Sequence, residues 1–267
     1  MRTVTKIQQQ KKRKNRYNIF INEVYTFSVD EDVLVKYHIH KGMEITPEEI
    51  QEITSDEDFH STYMMAINYL SYRMRTKREI QTYLHDKDIT PEMTSDIINR
   101  LEKEQLIDDK TFAEAFVRDR MNQTSKGPKI IVKELQEKGI SREAADKAVL
   151  QYDHDAQFSK AYRWAQSEAR KKSPHAARKQ IEQIRYKLMQ KGFAPDVISQ
   201  VMNEIEIEVD ETEEYQKLEK QADTLLRRYE KKLEGYELKM KLKSALYQRR
   251  FPSELIDEYI EKIDESS

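Results

Sequence analysis

Four stretches of this chain can be laid over one another without a gap: 80–101 (IQTYLHDKDITPEMTSDIINRL), 131–152 (IVKELQEKGISREAADKAVLQY), 184–205 (IRYKLMQKGFAPDVISQVMNEI) and 242–263 (LKSALYQRRFPSELIDEYIEKI). A leucine comes first in each, at Leu84, Leu135, Leu188 and Leu246. Five residues later stands Ile89, Ile140, Phe193 or Phe251, and twelve residues after that Leu101, Tyr152, Ile205 or Ile263. Apolar residues spaced this way predict a helix ending just past the leucine, a short polar turn, and a second helix. Gly139 and Gly192 hold the same turn position, as expected of a residue just past a helix C-terminus. Thr90-Pro91-Glu92, Ser141-Arg142-Glu143, Ala194-Pro195-Asp196 and Pro252-Ser253-Glu254 then mark the next helix start. One more amphipathic helix precedes each copy, at about 59–74, 109–123, 156–171 and 212–232, so the unit is three helices. Such a unit has a small core, and stacked neighbours predict an elongated, curved array.

Upstream of the repeats the period changes. Residues 3–9, 16–21 and 24–29 read as strands rich in β-branched and aromatic residues, with Asn22-Glu23 as the tight turn between the last two. Asp30 predicts the cap of a short helix over 30–39, Gly42 a stop, and Thr46-Pro47-Glu48-Glu49 a second short helix. The fold class expected is therefore mainly α: tandem three-helix repeats behind a small α+β N-terminal module. The divisions are 1–58 for the module, then 59–108, 109–154, 155–210 and 211–267.

Composition narrows the function. The chain has 267 residues, 36% of them charged, with five glycines and no cysteine. Average chains are about 25% charged and about 7% glycine. Glycine-lined phosphate loops are therefore disfavoured, and disulfides, thiolate zinc sites and cysteine nucleophiles are excluded. No run approaches the roughly 20 apolar residues that span a bilayer. The N-terminus has charge but no apolar core, so neither a membrane partner nor a secretory signal is expected, and the cytoplasm is the expected compartment. The six histidines are scattered, and no HExxH, nucleophile elbow or Walker loop occurs. No enzyme activity, cofactor or metal is expected.

The formal net charge of −2 hides an asymmetry. Residues 1–16 carry seven Lys/Arg and no acid; 155–203 carry 10 basic and 4 acidic residues; 204–267 carry 12 and 18. Glu204–Glu214 alone holds seven acids, as a hinge or a solvated connector. The basic segments can meet polyanions or be solvated helix faces, and charge alone leaves both open. Four groups are candidate contacts. Arg73, Arg75, Lys77 and Arg78 straddle a helix junction, where they could also complement the helix dipole. Arg118, Arg120, Lys126 and Lys129 surround the Gly127-Pro128 stop and restart. Arg170, Lys171, Lys172, Arg178, Lys179, Arg185 and Lys187 form the densest stretch, with Tyr162, Trp164 and Tyr186 as base-stacking or core aromatics. Lys11–Arg16 lies in the first strand connection.

The run YLSYRMRTKREIQTYL (69–84), followed by IINRLEKEQLIDDKTFAEAFVRDRMNQTSKGPKIIVKELQEKGI (97–140), resembles the RecX family of bacterial regulators of the RecA recombinase. The likeness is specific over 63–152 and continues more weakly to about 263. RYNIFINEVYTFSVDEDVLVKYHIHKGMEIT (16–46) is similar to the leading module of the longer forms in Firmicutes. Asp88 departs from the pattern, standing where the middle repeats have glycine. The resemblance implies a non-enzymatic regulator that binds RecA-type recombinase filaments on DNA; a monomer is expected because repeat arrays bury their faces internally. It would restrain their ATPase, strand-exchange and co-protease activity, touching single- or double-stranded DNA weakly and without sequence specificity. Two other readings stand beside it: a helix-turn-helix-like DNA-binding protein with no recombinase partner, and a scaffold without DNA affinity.

Overall fold

The structure is a computed structural model and describes residues 2–206 and 210–266. Two compact units are distinguished, 1–113 with 137–141, and 114–136 with 142–267. The middle of the acidic Glu204–Glu214 connector, 207–209, lies outside the described residues.

The first unit opens with three antiparallel strands in sequential order, β1 (Val4–Gln9), β2 (Arg16–Ile21) and β3 (Val24–Asp30). Asn22 and Glu23 both take positive φ, 48° and 67°, the twist a two-residue hairpin needs even without the favoured glycine. Alternation puts Ile19, Ile21, Phe27 and Val29 on one face, and Val33, Ile39, Ile45 and Ile53 complete that core. Asp30 caps α1 (Glu31–Lys36) by accepting from the Asp32 N–H. That helix stops three residues before the expected 39, since His38 turns to φ 49°.

The expected pair of helices, a short one opened by Thr46-Pro47 and another over 59–74, is one 24-residue helix, α2 (Pro47–Leu70). A Thr46–Glu49 capping box starts it, and no proline or glycine interrupts 48–70. It packs on β3 and α1 with its first half and on α3 (Lys77–His85) and α4 (Pro91–Lys103) with its second. The 58/59 division therefore falls inside one helix. Tyr63, Ala66, Ile80, Leu84, Ile97 and Leu101 form the core of this three-helix unit.

The remaining helices follow the repeat: α5 (Asp109–Gln123), α6 (Pro128–Glu137) and α7 (Arg142–Val149); α8 (His154–Ala169), α9 (Ala177–Gln190) and α10 (Pro195–Glu204); α11 (Glu211–Tyr229), α12 (Gly235–Gln248) and α13 (Ser253–Ser266). Asp108 caps α5, accepting from the Lys110 and Thr111 N–H groups, and Phe112 and Val117 are buried, as a cap followed by core residues requires. The second unit packs α8 on α9 and α10, and α11 on α12 and α13. All four repeat leucines, Leu84, Leu135, Leu188 and Leu246, are fully buried.

The turn after each leucine uses one conformation four times. Asp88, Gly139, Gly192 and Arg250, equivalent in the repeat, have φ of 59°, 91°, 83° and 69°. In three copies the next amide reaches back to the repeat leucine: Ile89 to Leu84 (3.2 Å), Phe193 to Leu188 (3.3 Å) and Phe251 to Leu246 (3.4 Å). This is the six-to-one hydrogen bond of a left-handed C-terminal cap. Asp88 is exposed in this strained region. Asp88→Gly is expected to stabilise the protein by about 0.5–1 kcal/mol, read as a higher urea midpoint at unchanged slope.

Candidate functional site

The candidate cations divide by what their charges already touch. At the α2–α3 junction Arg73 donates to both carboxylate oxygens of Glu79, at 3.1 and 2.9 Å. Lys138 Nζ donates to the same carboxylate at 2.9 Å, and so does the Thr76 N–H at 3.2 Å, closing a Thr76–Glu79 capping box. The Arg75 guanidinium stacks 4.0 Å from the Tyr69 ring, which stacks on Tyr83 at 4.0 Å and 4°. Lys77 is paired with Glu102, and its N–H donates to Asp109 Oδ1 at 3.0 Å. Arg78 is exposed and has no ion pair among the described residues. Tyr69, Arg78, Glu79, Tyr83 and Lys138 line a shallow cleft of about 300 Å³ here.

Glu79 is the hub of this junction. Burial alone would raise its carboxyl, but the bonds from Arg73, Lys138 and the Thr76 amide outweigh that and hold it down to about 2. The folded value lies below the unfolded one, about 4.3. Stability from Glu79 is thus fully present above about pH 4–5 and is lost as pH falls towards 2. Glu79→Gln is expected to cost about 1–2 kcal/mol at neutral pH, allowing for solvent screening, and to flatten the urea midpoint's pH dependence between about 2 and 4.5.

In the second repeat Arg120 donates to Glu134 at 2.8 Å and lies 4.3 Å from the Phe116 ring, while Lys126 pairs with the same Glu134. Arg118 and Lys129 are exposed, with no ion pair among the described residues. In the third repeat Glu168 gathers Lys171 and Lys187 (3.1 Å), and Lys179 meets Glu182 at 3.4 Å. Arg170, Lys172, Arg178 and Arg185 are exposed with no carboxylate at ion-pair distance among the described residues. Arg170 and Lys172 sit just past the end of α8; Arg178 and Arg185 lie seven residues apart on α9, on one helical face. Tyr162 stacks on Phe158 at 5.7 Å and Trp164 lies beneath Lys191 Nζ at 4.8 Å. Tyr186, 61% exposed, is the aromatic of the three that presents its ring to solvent. Lys11–Lys14 are exposed between β1 and β2, whereas Arg16 pairs with the buried Glu57 at 2.8 Å.

Beside Lys138, Arg100 and Lys191 also lie outside the candidate set and organise the structure. Arg100 stacks 3.9 Å from the Tyr63 ring and donates to Glu104 at 2.9 Å. Lys191 donates to Ser125 Oγ at 2.8 Å, and burial holds its ammonium below the usual lysine range. Among the described residues Asp30, Asp32 and His60 bring possible metal-ligand atoms within 4.8 Å of one another, but Asp30 is occupied as the α1 cap and by Asn15 Nδ2 at 2.7 Å. No helix of the described residues is long and apolar enough to cross a membrane.

The chain's domain succession matches known proteins. Residues 2–46 match the regulatory protein RecX N-terminal domain, 63–101 the first RecX three-helix domain, 108–149 the second and 211–260 the third. A regulatory protein RecX of Oceanobacillus iheyensis is 40% identical over 98% of both chains. The chain belongs to the RecX family. A RecX of Halalkalibacterium halodurans is 34% identical over 97% of this chain and 99% of its own. A crystal structure of regulatory protein RecX aligns over 76% of this chain and all of its own, with a TM-score of 0.65 at 32% identity. That of RecX from Lactobacillus salivarius covers 56% of this chain and 97% of its own, with a TM-score of 0.54 at 37% identity. Arg73–Arg78 thus lie in the first RecX three-helix domain and Arg118–Lys129 in the second. Arg170–Lys187 belong to α8–α9, between the second and third RecX domain matches.

Proposed function

We propose that this protein is a non-enzymatic cytoplasmic regulator that binds RecA-type recombinase filaments on DNA and lowers their ATPase, strand-exchange and co-protease activity. The observation that carries the reading is the ordered succession of four RecX domain matches together with RecX relatives aligned over nearly the whole chain. In this reading the 1–58 module and the repeats 59–108, 109–154, 155–210 and 211–267 offer successive binding modules, so that weak contacts to several protomers multiply through effective concentration. The exposed cations Arg118, Lys129, Arg170, Lys172, Arg178 and Arg185, which have no ion pair among the described residues, give a sequence-independent attraction to the DNA phosphates. The ion-paired Arg73, Lys77, Arg120, Lys126, Lys171, Lys179 and Lys187 serve mainly to hold the repeats.

The test is recombinase ATP hydrolysis on single-stranded DNA, titrated with this protein beside a DNA-binding control at the same salt. Suppression well below the amount needed to coat the DNA is the expected result. Inhibition that appears only as the DNA saturates would point to competition for DNA, and a binding site with a specificity ratio of roughly 10³ or more would favour the helix-turn-helix reading instead.

A further inference from the structure

The three-stranded sheet of the leading module has two faces, and its helices cover one of them. Val4, Ile19, Ile21, Phe27 and Val29 point into the core, against Val33 of α1 and Ile53 of α2. The alternate positions form two cross-strand rows on the opposite face. In the first row Lys6 pairs with Phe20, and Phe20 with Tyr25. In the second Gln8 pairs with Asn18, and Asn18 with Ser28. Two residues of strand separate the rows, about 6.6 Å. Beyond the second row the β1–β2 connection carries Lys11, Lys12, Arg13 and Lys14, all exposed.

The first row holds an aromatic ring in place without burying it. The Tyr25 ring meets Phe20 edge to face at 5.9 Å and 73°, and its hydroxyl lies 3.0 Å from Ser28 Oγ. Tyr25 is nevertheless 54% exposed. Lys6 Nζ stands 5.0 Å from the Phe20 ring centre. The second row is a hydrogen-bonded strip: Gln10 Nε2 donates to Asn18 Oδ1 at 2.7 Å and to Ser28 Oγ at 3.3 Å, and Ser28 Oγ donates to Asn18 Oδ1 at 2.8 Å. Charge around the face is mainly positive. Arg2, Lys6, Lys11, Lys12, Arg13 and Lys14 are exposed and have no ion pair among the described residues. The exposed acids at its border are Glu23 in the β2–β3 turn, Glu44 beside Thr3, and Glu31, whose N–H donates to the Asn15 carbonyl. Asp30 and Asp32 face His60 of α2, at 3.6 and 3.8 Å.

We propose that this open sheet face binds single-stranded DNA, with a base stacked on Tyr25 and the flanking phosphates on Lys6 and the Lys11–Lys14 loop. Charge and ring together select the occupant. The excess of cations calls for a polyanion. The oriented ring adds a partner for an aromatic face, which unpaired bases offer and a duplex keeps within its own stack. The face lies apart in sequence from the repeat cations and carries its own DNA contact. The inference requires no recombinase, so it goes beyond the regulatory reading and does not rest on it.

The chain has a single tryptophan, Trp164, which makes a local optical test available. Tyr25→Trp is placed in a full-length Trp164→Phe chain, so that one indole reports on this face. The chain is titrated to saturation with oligo(dT) of about 20 nucleotides, an abasic strand of the same length, a duplex of the same length, and phosphatidylserine vesicles. The expected result is quenching by oligo(dT) that neither the abasic strand nor the duplex produces, because only unpaired bases can stack on the ring. The quench is expected to persist at saturation when Arg170, Lys172, Arg178 and Arg185 are replaced by alanine. In the chain that keeps Trp164, Tyr25→Ala is expected to weaken oligo(dT) binding about 5–30-fold with the salt slope unchanged, while Tyr25→Phe, which keeps the ring, stays within about threefold. Replacing Lys11, Lys12, Arg13 and Lys14 by glutamine is expected to lower the slope by nearly 3, at about 0.7 for each cation. No quench at saturation, equal quenching by the abasic strand or the duplex, or a Tyr25→Ala affinity within about twofold of the unmodified chain would each overturn the proposal. So would a response to the vesicles with none to oligo(dT), which would make the face a lipid-headgroup surface. A failed ATPase test leaves all these readouts unchanged, and their failure leaves the ATPase test standing.

Discussion

Replacing Arg170, Lys172, Arg178 and Arg185 together by alanine is expected to lower the salt slope of single-stranded DNA binding by about 3 and the affinity at low salt by about 10²-fold. Each cation that neutralises a phosphate releases a counterion and contributes about 0.7 to the slope on a single strand, so four give nearly 3. The control set is Lys171, Lys179 and Lys187, which lie in the same segment but already face Glu168 or Glu182. Their replacement by alanine is expected to change the slope by less than about 1, because a paired cation has little charge left to release a counterion. All four cations in the first set are exposed, so thermal stability should stay within about 0.5 kcal/mol of the unmodified protein. Equal effects from the two sets would mean that segment charge density, rather than pairing, sets the affinity. No change from either would remove this surface from DNA contact.

The contrast between those sets also marks where the sequence stops being readable. The architecture was legible because it rests on local signals repeated four times: a leucine five residues ahead of a large apolar residue, with a turn between. Leu84, Leu135, Leu188 and Leu246 are buried as that register requires. Departures are less legible. The unbroken α2 from Pro47 to Leu70 did have a local signal, the absence of proline and glycine over 48–70, but a division into two helices passes over it because a missing breaker is easier to overlook than a present one. Arg250, in the left-handed turn, pairs with Glu182, a partner in the preceding repeat that no local spacing points to. The candidate contact surface was legible as charge and not as free charge. Arg73 finds Glu79 six residues away, Arg120 finds Glu134 fourteen away, and Lys187 finds Glu168 nineteen away. Only the first two separations fall near enough to guess, and neither matches the helical i, i+4 spacing that single-sequence reasoning can use. A cation count therefore overstates the attractive surface, and packing decides which part of it remains.

The largest stability loss is expected at the joint between the second and third repeats, from Gly127→Val. A Cβ on Gly127 would lie 2.5 Å from the Gly192 carbonyl carbon and oxygen and from the Phe193 nitrogen. These are backbone atoms, so no side chain can swing aside, and relief requires the two turns to separate. Separation removes the Gly127–Lys191 and Lys129–Gly192 backbone hydrogen bonds at 2.7 and 3.2 Å, worth about 1 kcal/mol each. Overpacking adds about 1–3 kcal/mol. The total, about 3–5 kcal/mol, belongs to the rare class of severe single substitutions. Gly127→Ala carries the same first clash and should fall at the lower end. The control is Gly235→Ala: Gly235 has φ +53° but nothing within 4 Å of its Cβ position, so about 1 kcal/mol of backbone strain is all that is expected. Urea unfolding gives the totals, and hydrogen exchange at Lys129 reports whether the joint itself opens. A loss below about 1 kcal/mol at Gly127 would mean that the two turns are not held together in solution. If the loss is as large as expected, the joint also governs function: Lys129 and Arg178 belong to different repeats, and only a closed joint presents them to one polyanion in a fixed arrangement. Gly127→Ala, assayed where it is still mostly folded, should then weaken DNA binding while leaving every cation in place.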